Sequence, residues 1–138
     1  MGLTLNTAKC ELIAHQDIVV QDRVLQAFMR VDIGDTMLLG APLFSGAGLD
    51  KAWSARCDDL ATAVDRLRLV GAQDALILLR SSFSAPKVLH LLRCSPSVSH
   101  PLLQSFDSQL KAAIKSITNS AVSDIQWIQA SLPVKDGV

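Results

Sequence analysis

Hydrophobic residues recur at two different spacings along this chain of 138 residues, and the spacing changes near Ser45–Gly48. Beyond that point apolar residues return every three or four positions, which is the period of one face of an α-helix. The longest apolar stripe consists of Leu49, Trp53, Cys57, Leu60, Val64 and Leu67. It predicts a long helix that Gly71 terminates and whose stripe faces a hydrophobic core.

Further helical stretches follow, and prolines separate them. One begins near Gln73 and is interrupted at Pro86, after which the helical pattern continues over Lys87–Leu92. Another begins at Pro101, because proline is common in the first turn of a helix. Its predicted inner face consists of Leu103, Phe106, Leu110, Ile114 and Ile117. A last short helical turn is predicted around Trp127.

The first 45 residues have a shorter and more turn-rich pattern. Cys10–Ala14 reads as a short strand, and the spacing over Gln21–Met29 predicts one helix of about three turns. Thr36–Phe44 is apolar but is interrupted by Gly40 and Pro42, which favours a small bent hairpin at a sheet edge. The fold class that we predict is α+β and helix-dominated: a small strand pair with one helix, followed by three or four helices.

Composition and charge restrict the function. Hydrophobic residues make up 49% of the chain, which excludes a disordered protein. The net charge is zero, which argues against a stand-alone polyanion binder, but positions 1–50 hold three basic and six acidic residues and the remainder holds ten and seven. We find neither a signal peptide nor an unbroken apolar run of the ~20 residues that a membrane span needs. We therefore expect an intracellular protein, cytoplasmic or nuclear, with no membrane partner.

Few side chains could support catalysis or bind a metal. The three cysteines, Cys10, Cys57 and Cys94, lie far apart and are interpreted as reduced, buried thiols. His90 and Cys94 are four residues apart and could be metal ligands on one helical face, but a second pair of ligands is missing, so we predict no metal site. Asp58 and Asp59 are interpreted as part of a solvated face. Neither a phosphate-binding loop nor a nucleophile elbow occurs.

Two segments near the start are similar to a known family. Gly2-Leu3-Thr4-Leu5-Asn6-Thr7-Ala8-Lys9-Cys10-Glu11 resembles motif D of the reverse transcriptases of non-LTR retrotransposons, and Leu38–Leu43 resembles motif E, the primer grip. Three later segments resemble the thumb of LINE-type elements, and a fourth resembles the connector beyond it: Asp74–Arg80, Pro86–Leu89, Leu91–Pro96 and Gln126–Pro133. The segments occur in the family's order and cover nearly the whole chain.

The resemblance implies a palm tail at 1–45, a helical thumb at 46–118 and the start of a connector at 119–138. In the family, the aspartates that hold two Mg²⁺ ions lie upstream of motif D, and no carboxylate here matches them. Two-metal nucleotidyl transfer requires such ligands. The resemblance therefore implies a fragment of an RNA-directed DNA polymerase that grips a primer–template and is not catalytic alone, with no cofactor of its own.

The resemblance assigns roles to four residues of the palm tail. Lys9 matches the motif D lysine, which in the family approaches the leaving pyrophosphate, so its implied role is auxiliary. Leu39, Gly40 and Ala41 match the primer grip, whose backbone supports the primer end. The alternatives are that Lys9 is an ordinary solvated lysine and that Gly40 only relieves a tight turn.

Two thumb residues are implied to contact the backbone of an RNA–DNA or DNA duplex. Arg80 and Lys87 are seven residues apart, so they lie on nearly the same face if the helix continues through Pro86. Contacts of this kind are sequence-independent and sensitive to salt. The alternative is a solvated basic rim around an apolar bundle.

A different class of function also fits the sequence. It is a helical protein-interaction module, or a pseudogene-derived one, with no nucleic-acid contact. Palm strands separated from the rest of the palm and the fingers would expose Leu5, Ile13, Leu38 and Leu39. Exposed strand edges of this kind favour self-association.

Overall fold

The computed structural model describes residues 4–14 and 21–132, and over these residues the chain is a helix-dominated α+β protein, as predicted. The strands are β1 (Glu11–Ile13), β2 (Met29–Val31), β3 (Met37–Leu38) and β4 (Ala41–Pro42). The helices are α1 (Arg23–Gln26), α2 (Ala47–Leu67), α3 (Ala72–Leu78), α4 (Ala85–Cys94), α5 (Pro101–Thr118) and α6 (Asp124–Ser131). Two 3₁₀ turns cover Thr7–Lys9 and Ile33–Asp35, and a π-helical turn covers Leu79–Phe83.

The strands β1 and β2 form a parallel pair in which Glu11 lies opposite Met29. The prediction of a strand over Cys10–Ala14 is confirmed. The prediction of a three-turn helix over Gln21–Met29 is wrong in its length, because α1 has a single turn. The last residue of the predicted helix, Met29, belongs to β2 instead, and its amide donates to the carbonyl oxygen of Cys10 at 3.1 Å. Pairing with β1 therefore prevails over the helical spacing.

The antiparallel pair β3–β4 confirms the hairpin predicted over Thr36–Phe44. Its two turn residues are Leu39 and Gly40, and both have positive φ angles, 51° and 81°. Two-residue hairpins favour this backbone because its twist matches that of the strands. The hairpin is closed at its base by the Leu43 amide, which donates to the carbonyl oxygen of Thr36 at 3.0 Å.

Helix α2 is the centre of the core, and its predicted apolar stripe is buried at all six positions. Trp53 is fully buried, and its indole lies against the rings of His100 and Phe106 at centroid distances of 6.0 and 6.2 Å. Helix α5 packs along α2 and begins at Pro101 as predicted. The core cluster consists of Leu49, Trp53, Cys57, Leu60, Val64, Leu67, Ala75, Leu79, Val88, Leu91, Phe106 and Ala113. Gly71 precedes α3 rather than ending α2, which stops at Leu67.

The second helical stretch is broken earlier than the sequence predicts. After α3 the π-helical turn ends at Ser84, whose φ of −89° and ψ of −126° are not helical. Pro86 lies in the first turn of α4. Proline is tolerated there because the N–H groups of the first turn have no acceptor within the helix, so a missing N–H breaks no helical hydrogen bond. Length and composition alone would allow Ala72–Cys94 to cross a membrane, and 22% of that window is buried. The absence of a membrane partner stays a prediction.

The last helix, α6, is held on α5 by two polar contacts. The Trp127 indole nitrogen donates to Asp107 Oδ2 at 3.1 Å, and Lys111 pairs with Asp124. The hydrogen bond from Lys111 and its positive charge lower the pKa of Asp124. The helix begins with a capping box formed by Ser123 and Gln126. The predicted turn around Trp127 is therefore a helix of two turns.

Three glycines allow the start of α2 to pass against the turn at Gly34. A Cβ atom added to Gly48 would lie 2.9 Å from the Gly34 carbonyl oxygen, and one added to Gly46 would lie 2.9 Å from the Gly34 Cα. Gly46 also has a φ of +152°, which other residues rarely adopt. The hairpin region and the helix bundle are thus joined by backbone-to-backbone contact.

We expect Gly48→Ala to destabilise the protein, although alanine is favoured over glycine in a helix by about 1 kcal/mol. The added methyl group overlaps the Gly34 carbonyl, and overpacking of this kind costs about 1–3 kcal/mol. Urea denaturation measures the free energy of unfolding. Gly71→Ala is the matched control, because its Cβ would meet only Asp74 Oδ2 at 3.8 Å. Equal stability of the two variants would contradict the packing argument.

Candidate nucleic-acid interface

The hairpin β3–β4 carries the three residues that resemble the primer grip, and its tip, formed by Leu39 and Gly40, is exposed to solvent. The Leu39 side chain is 88% exposed, whereas Ala41, two residues later, is fully buried. A left-handed backbone costs about 1–2 kcal/mol in a residue other than glycine, so Leu39 stores local strain. The tip therefore presents strained backbone and an apolar side chain at the surface, beside the buried strand β4.

Helix α4 holds this tip through His90. Its Nε2 atom lies 3.1 Å from the carbonyl oxygen of Leu39. Because a carbonyl oxygen can only accept, the proton of the neutral ring is on Nε2, and Nδ1 carries the free lone pair. Nδ1 faces the Cys94 sulfur at 3.5 Å. No sequence periodicity predicts this link, because it joins residues 51 positions apart.

Lys9 lies at the end of the 3₁₀ turn Thr7–Lys9 and is exposed. Its amide donates to the Asn6 carbonyl oxygen at 3.1 Å, which closes the turn. Among the residues that the structure describes, no ion pair or hydrogen bond joins the Lys9 side chain to the hairpin. Its auxiliary role stays a prediction.

Arg80 and Lys87 are not brought together on one face. The predicted common face depended on a helix that continues through Pro86, and the π-helical turn and Ser84 interrupt it. Lys87 points to α2, where its Nζ atom lies 3.3 Å from Asp59 Oδ2. Arg80 lines a groove bounded by α5 and α6. Their contact with a nucleic-acid backbone stays a prediction, and the two would act at separate places.

The groove beside Arg80 has a volume of about 520 Å³ and a mostly apolar lining. Asp107 and Trp127 form its far side and are bonded to each other. Within the described part of the chain the Arg80 guanidinium forms no ion pair and no hydrogen bond. The carboxylate of Asp107 lines the same groove.

Lys87 has a competing partner. Asp59 also accepts a hydrogen bond from Arg56 Nη1 at 3.2 Å, so two cations share one exposed carboxylate. Exposed ion pairs contribute about 0–1 kcal/mol. The charge of Lys87 is thus partly compensated by Asp59, which it shares with Arg56.

The thiols have different environments. Cys57 is buried, and burial, with a smaller effect of the Asp58 charge, raises the pKa of its thiol. Cys94 is exposed and Cys10 is partly exposed, so the interpretation of all three as buried thiols is wrong. Over residues 4–14 and 21–132 no three His, Cys, Asp or Glu side chains are grouped as metal ligands.

Leu39→Asn should raise the free energy of unfolding by about 0.5–1 kcal/mol. Asparagine adopts the left-handed backbone more readily than leucine, and Asn-Gly is the preferred pair for this turn. The comparison is Leu38→Asn, at an exposed strand position where asparagine is disfavoured and stability should fall slightly. Urea denaturation of both variants checks this, and a loss of stability in Leu39→Asn would show that the strain is not at the tip.

Comparisons with known proteins identify no relative of this chain. No family model, curated protein or solved structure matches this chain. The fold class therefore rests on the structure, and the likeness to reverse transcriptases rests on the sequence segments alone.

Proposed function

We propose that this chain is a palm tail and thumb of a non-LTR retrotransposon reverse transcriptase, and that it grips a primer–template duplex without extending it. The order of the motif-like segments along the sequence supports this. The exposure of Leu39 and Gly40, two of the three grip-like residues, also supports it. The assignment of palm tail, thumb and connector to 1–45, 46–118 and 119–138 belongs to the same proposal.

The single observation that carries the proposal is the anchored hairpin tip. A surface that supports the end of a primer must be rigid and must let nucleic acid approach the backbone closely. Gly40 supplies the close approach because it has no side chain. The hydrogen bond from His90 to the Leu39 carbonyl supplies the rigidity and ties the tip to the helical bundle.

The parallel pair β1–β2 supports the palm part of the proposal. Parallel strands usually occur in sheets that are covered on both faces. Here Ile13 and Met29 are 44% and 59% exposed, and the described residues do not cover them. Such a pair is typical of a piece of a larger sheet, and the palm and fingers of the parent enzyme are the partner that the proposal implies.

We expect this polypeptide to bind an RNA–DNA hybrid at low salt, with Arg80 contributing more than Lys87. A hydrogen bond to a charged group contributes about 1.5 kcal/mol, so Arg80→Ala should weaken binding roughly tenfold. It should also reduce the slope of log affinity against log salt by about 0.9. Lys87→Ala should have a smaller effect, because Asp59 already compensates part of the charge of that lysine. Fluorescence anisotropy with a short labelled hybrid measures both quantities.

Arg68→Ala is the control for this experiment, because the Arg68 guanidinium already pairs with Asp65 at 3.6 Å at the end of α2. Its affinity should equal that of the unmodified protein. No binding by the unmodified protein, or full binding by Arg80→Ala, would contradict the gripping role. The same hybrid, supplied with nucleotides and Mg²⁺, should not be extended, since the chain lacks residues that match the family's metal-binding aspartates.

A second candidate function is protein interaction, and the exposed apolar surface of the palm-like region favours it. Leu5, Ile13, Leu38 and Leu39 are 63%, 44%, 56% and 88% exposed, as the sequence predicts for separated palm strands. Large exposed apolar patches mark interaction sites. In this case the partner is a protein surface or a second copy, and no nucleic acid is bound.

Size-exclusion chromatography in the presence of a chelator tests the second candidate. Self-association through the strand edges should give an oligomer, and the double variant Ile13→Lys with Leu38→Lys should elute as a monomer because charged edges prevent pairing. Leu69→Lys is the control, since Leu69 is 86% exposed but lies outside the strands. A monomeric unmodified protein at high concentration would contradict self-association.

A further inference from the structure

The side chains of His90 and Cys94 lie close enough together to form half of a metal site, whether or not the protein binds a nucleic acid. Both side chains are on the exposed face of α4, and the Cys94 sulfur lies 3.5 Å from His90 Nδ1. Zinc binds sulfur at about 2.3 Å and imidazole nitrogen at about 2.1 Å, so a tetrahedral angle separates two such ligands by roughly 3.5 Å. The observed distance between the two atoms is therefore close to the one that a shared Zn²⁺ ion requires.

The imidazole is also oriented as a ligand. A metal-bound histidine usually donates its other ring N–H to a carboxylate or backbone carbonyl, which fixes the ring and its tautomer. Here Nε2 donates to the Leu39 carbonyl at 3.1 Å, which leaves the lone pair of Nδ1 directed toward Cys94. The ring is thus held for metal binding before any metal arrives.

Two ligands do not complete a tetrahedral site, and the rest of the described chain offers no third one. No group of three or more His, Cys, Asp or Glu side chains occurs there. Structural zinc needs four protein ligands. The same pair from a second copy would supply the two missing ligands and give a Cys₂His₂ site on a two-fold axis, which is the usual symmetry of a dimer.

The surroundings of the pair suit contact between two copies. Leu39, whose carbonyl holds the imidazole, is 88% exposed, and Leu89, beside His90 on α4, is 40% exposed. Zinc binding releases the thiol proton of each Cys94 to solvent, so two thiolates balance the charge of the ion. The bridged site is neutral, and exposed leucines next to it can be buried between the copies.

We propose that His90 and Cys94 form a zinc half-site and that one Zn²⁺ ion joins two copies of this chain through it. Zinc would then control the oligomeric state of the protein. The site uses exposed residues of α4 and requires no change in the core. The Leu39 carbonyl accepts from Nε2 and the metal would bind Nδ1, so the imidazole can make both interactions at the same time.

The test is a zinc titration of the full chain under reducing conditions, with a chromophoric chelator as competitor and analytical ultracentrifugation of the same samples. We expect one zinc per two chains and a dimer that EDTA reverses. Cobalt should give the visible absorption of a tetrahedral site together with a thiolate-to-metal charge-transfer band. The reductant and the chelator together exclude a disulfide as the cause of dimerisation.

Two variants and one control make the test specific. Cys94→Ser keeps a hydrogen-bond donor near His90, and His90→Gln keeps a donor near the Leu39 carbonyl, so both should fold. Each should weaken zinc binding by more than the tenfold to hundredfold that loss of a supporting group costs. Cys10→Ser, at the other thiol that is not buried, should bind zinc normally. A monomer that takes one zinc per chain, or undiminished binding in both α4 variants, would overturn the proposal.

Discussion

The position of the Trp53 indole determines how the rest of the bundle is arranged. The ring is fully buried, and its nitrogen donates to Ser97 Oγ at 3.1 Å. Ser97 Oγ lies 3.4 Å from the Leu91 carbonyl oxygen, to which it donates. A buried N–H group without a partner costs about 1–3 kcal/mol, so this bond holds Ser97, three residues after the end of α4, beside the indole. His100, stacked on the same ring, bonds to Asp50 at 2.9 Å and secures the start of α5.

The position of the hairpin depends indirectly on the Trp53 network, because the hairpin packs against α2 and α4. Ala41 and its neighbour Pro42 are buried, and strand β4 packs against both α2 and α4. Since the Trp53 network fixes α4 relative to α2, it also fixes the place of His90, which holds the Leu39 carbonyl. The glycines at Gly34, Gly46 and Gly48 then allow the chain to pass from the hairpin region into α2 at backbone contact distance.

The parts of the fold that the sequence predicts are those that depend on local spacing. The predictions of the apolar stripe of α2 and of the start of α5 are correct, because a helix of four or more turns repeats its apolar positions often enough to be recognised. The short α1 fails this criterion: three apolar positions predict a helix as well as a strand, and the pairing of Met29 with Glu11 decides between them.

The candidate site shows the opposite case. Arg80 and Lys87 have a helical spacing, but Arg80 lies in the π-helical turn, which holds more residues per turn than an α-helix and changes the relative direction of the two side chains. The bonds from His90 to Leu39 and from His100 to Asp50 join residues about fifty positions apart, for which no local pattern exists. Sequence spacing placed His90 and Cys94 on one face but could not supply the carbonyl that orients the imidazole.

The single imidazole of His90 connects the two proposed activities. Under the proposed function its Nε2–H bond to Leu39 holds the hairpin tip against a duplex, and the same bond directs Nδ1 toward Cys94, the other proposed zinc ligand. A zinc ion that holds the ring therefore also holds the tip. Linkage requires the effect to be mutual, so any factor by which zinc changes the affinity for a duplex is also the factor by which a duplex changes the affinity for zinc. Because dimerisation brings two tips near one axis, the sign of that coupling depends on whether a duplex fits between them.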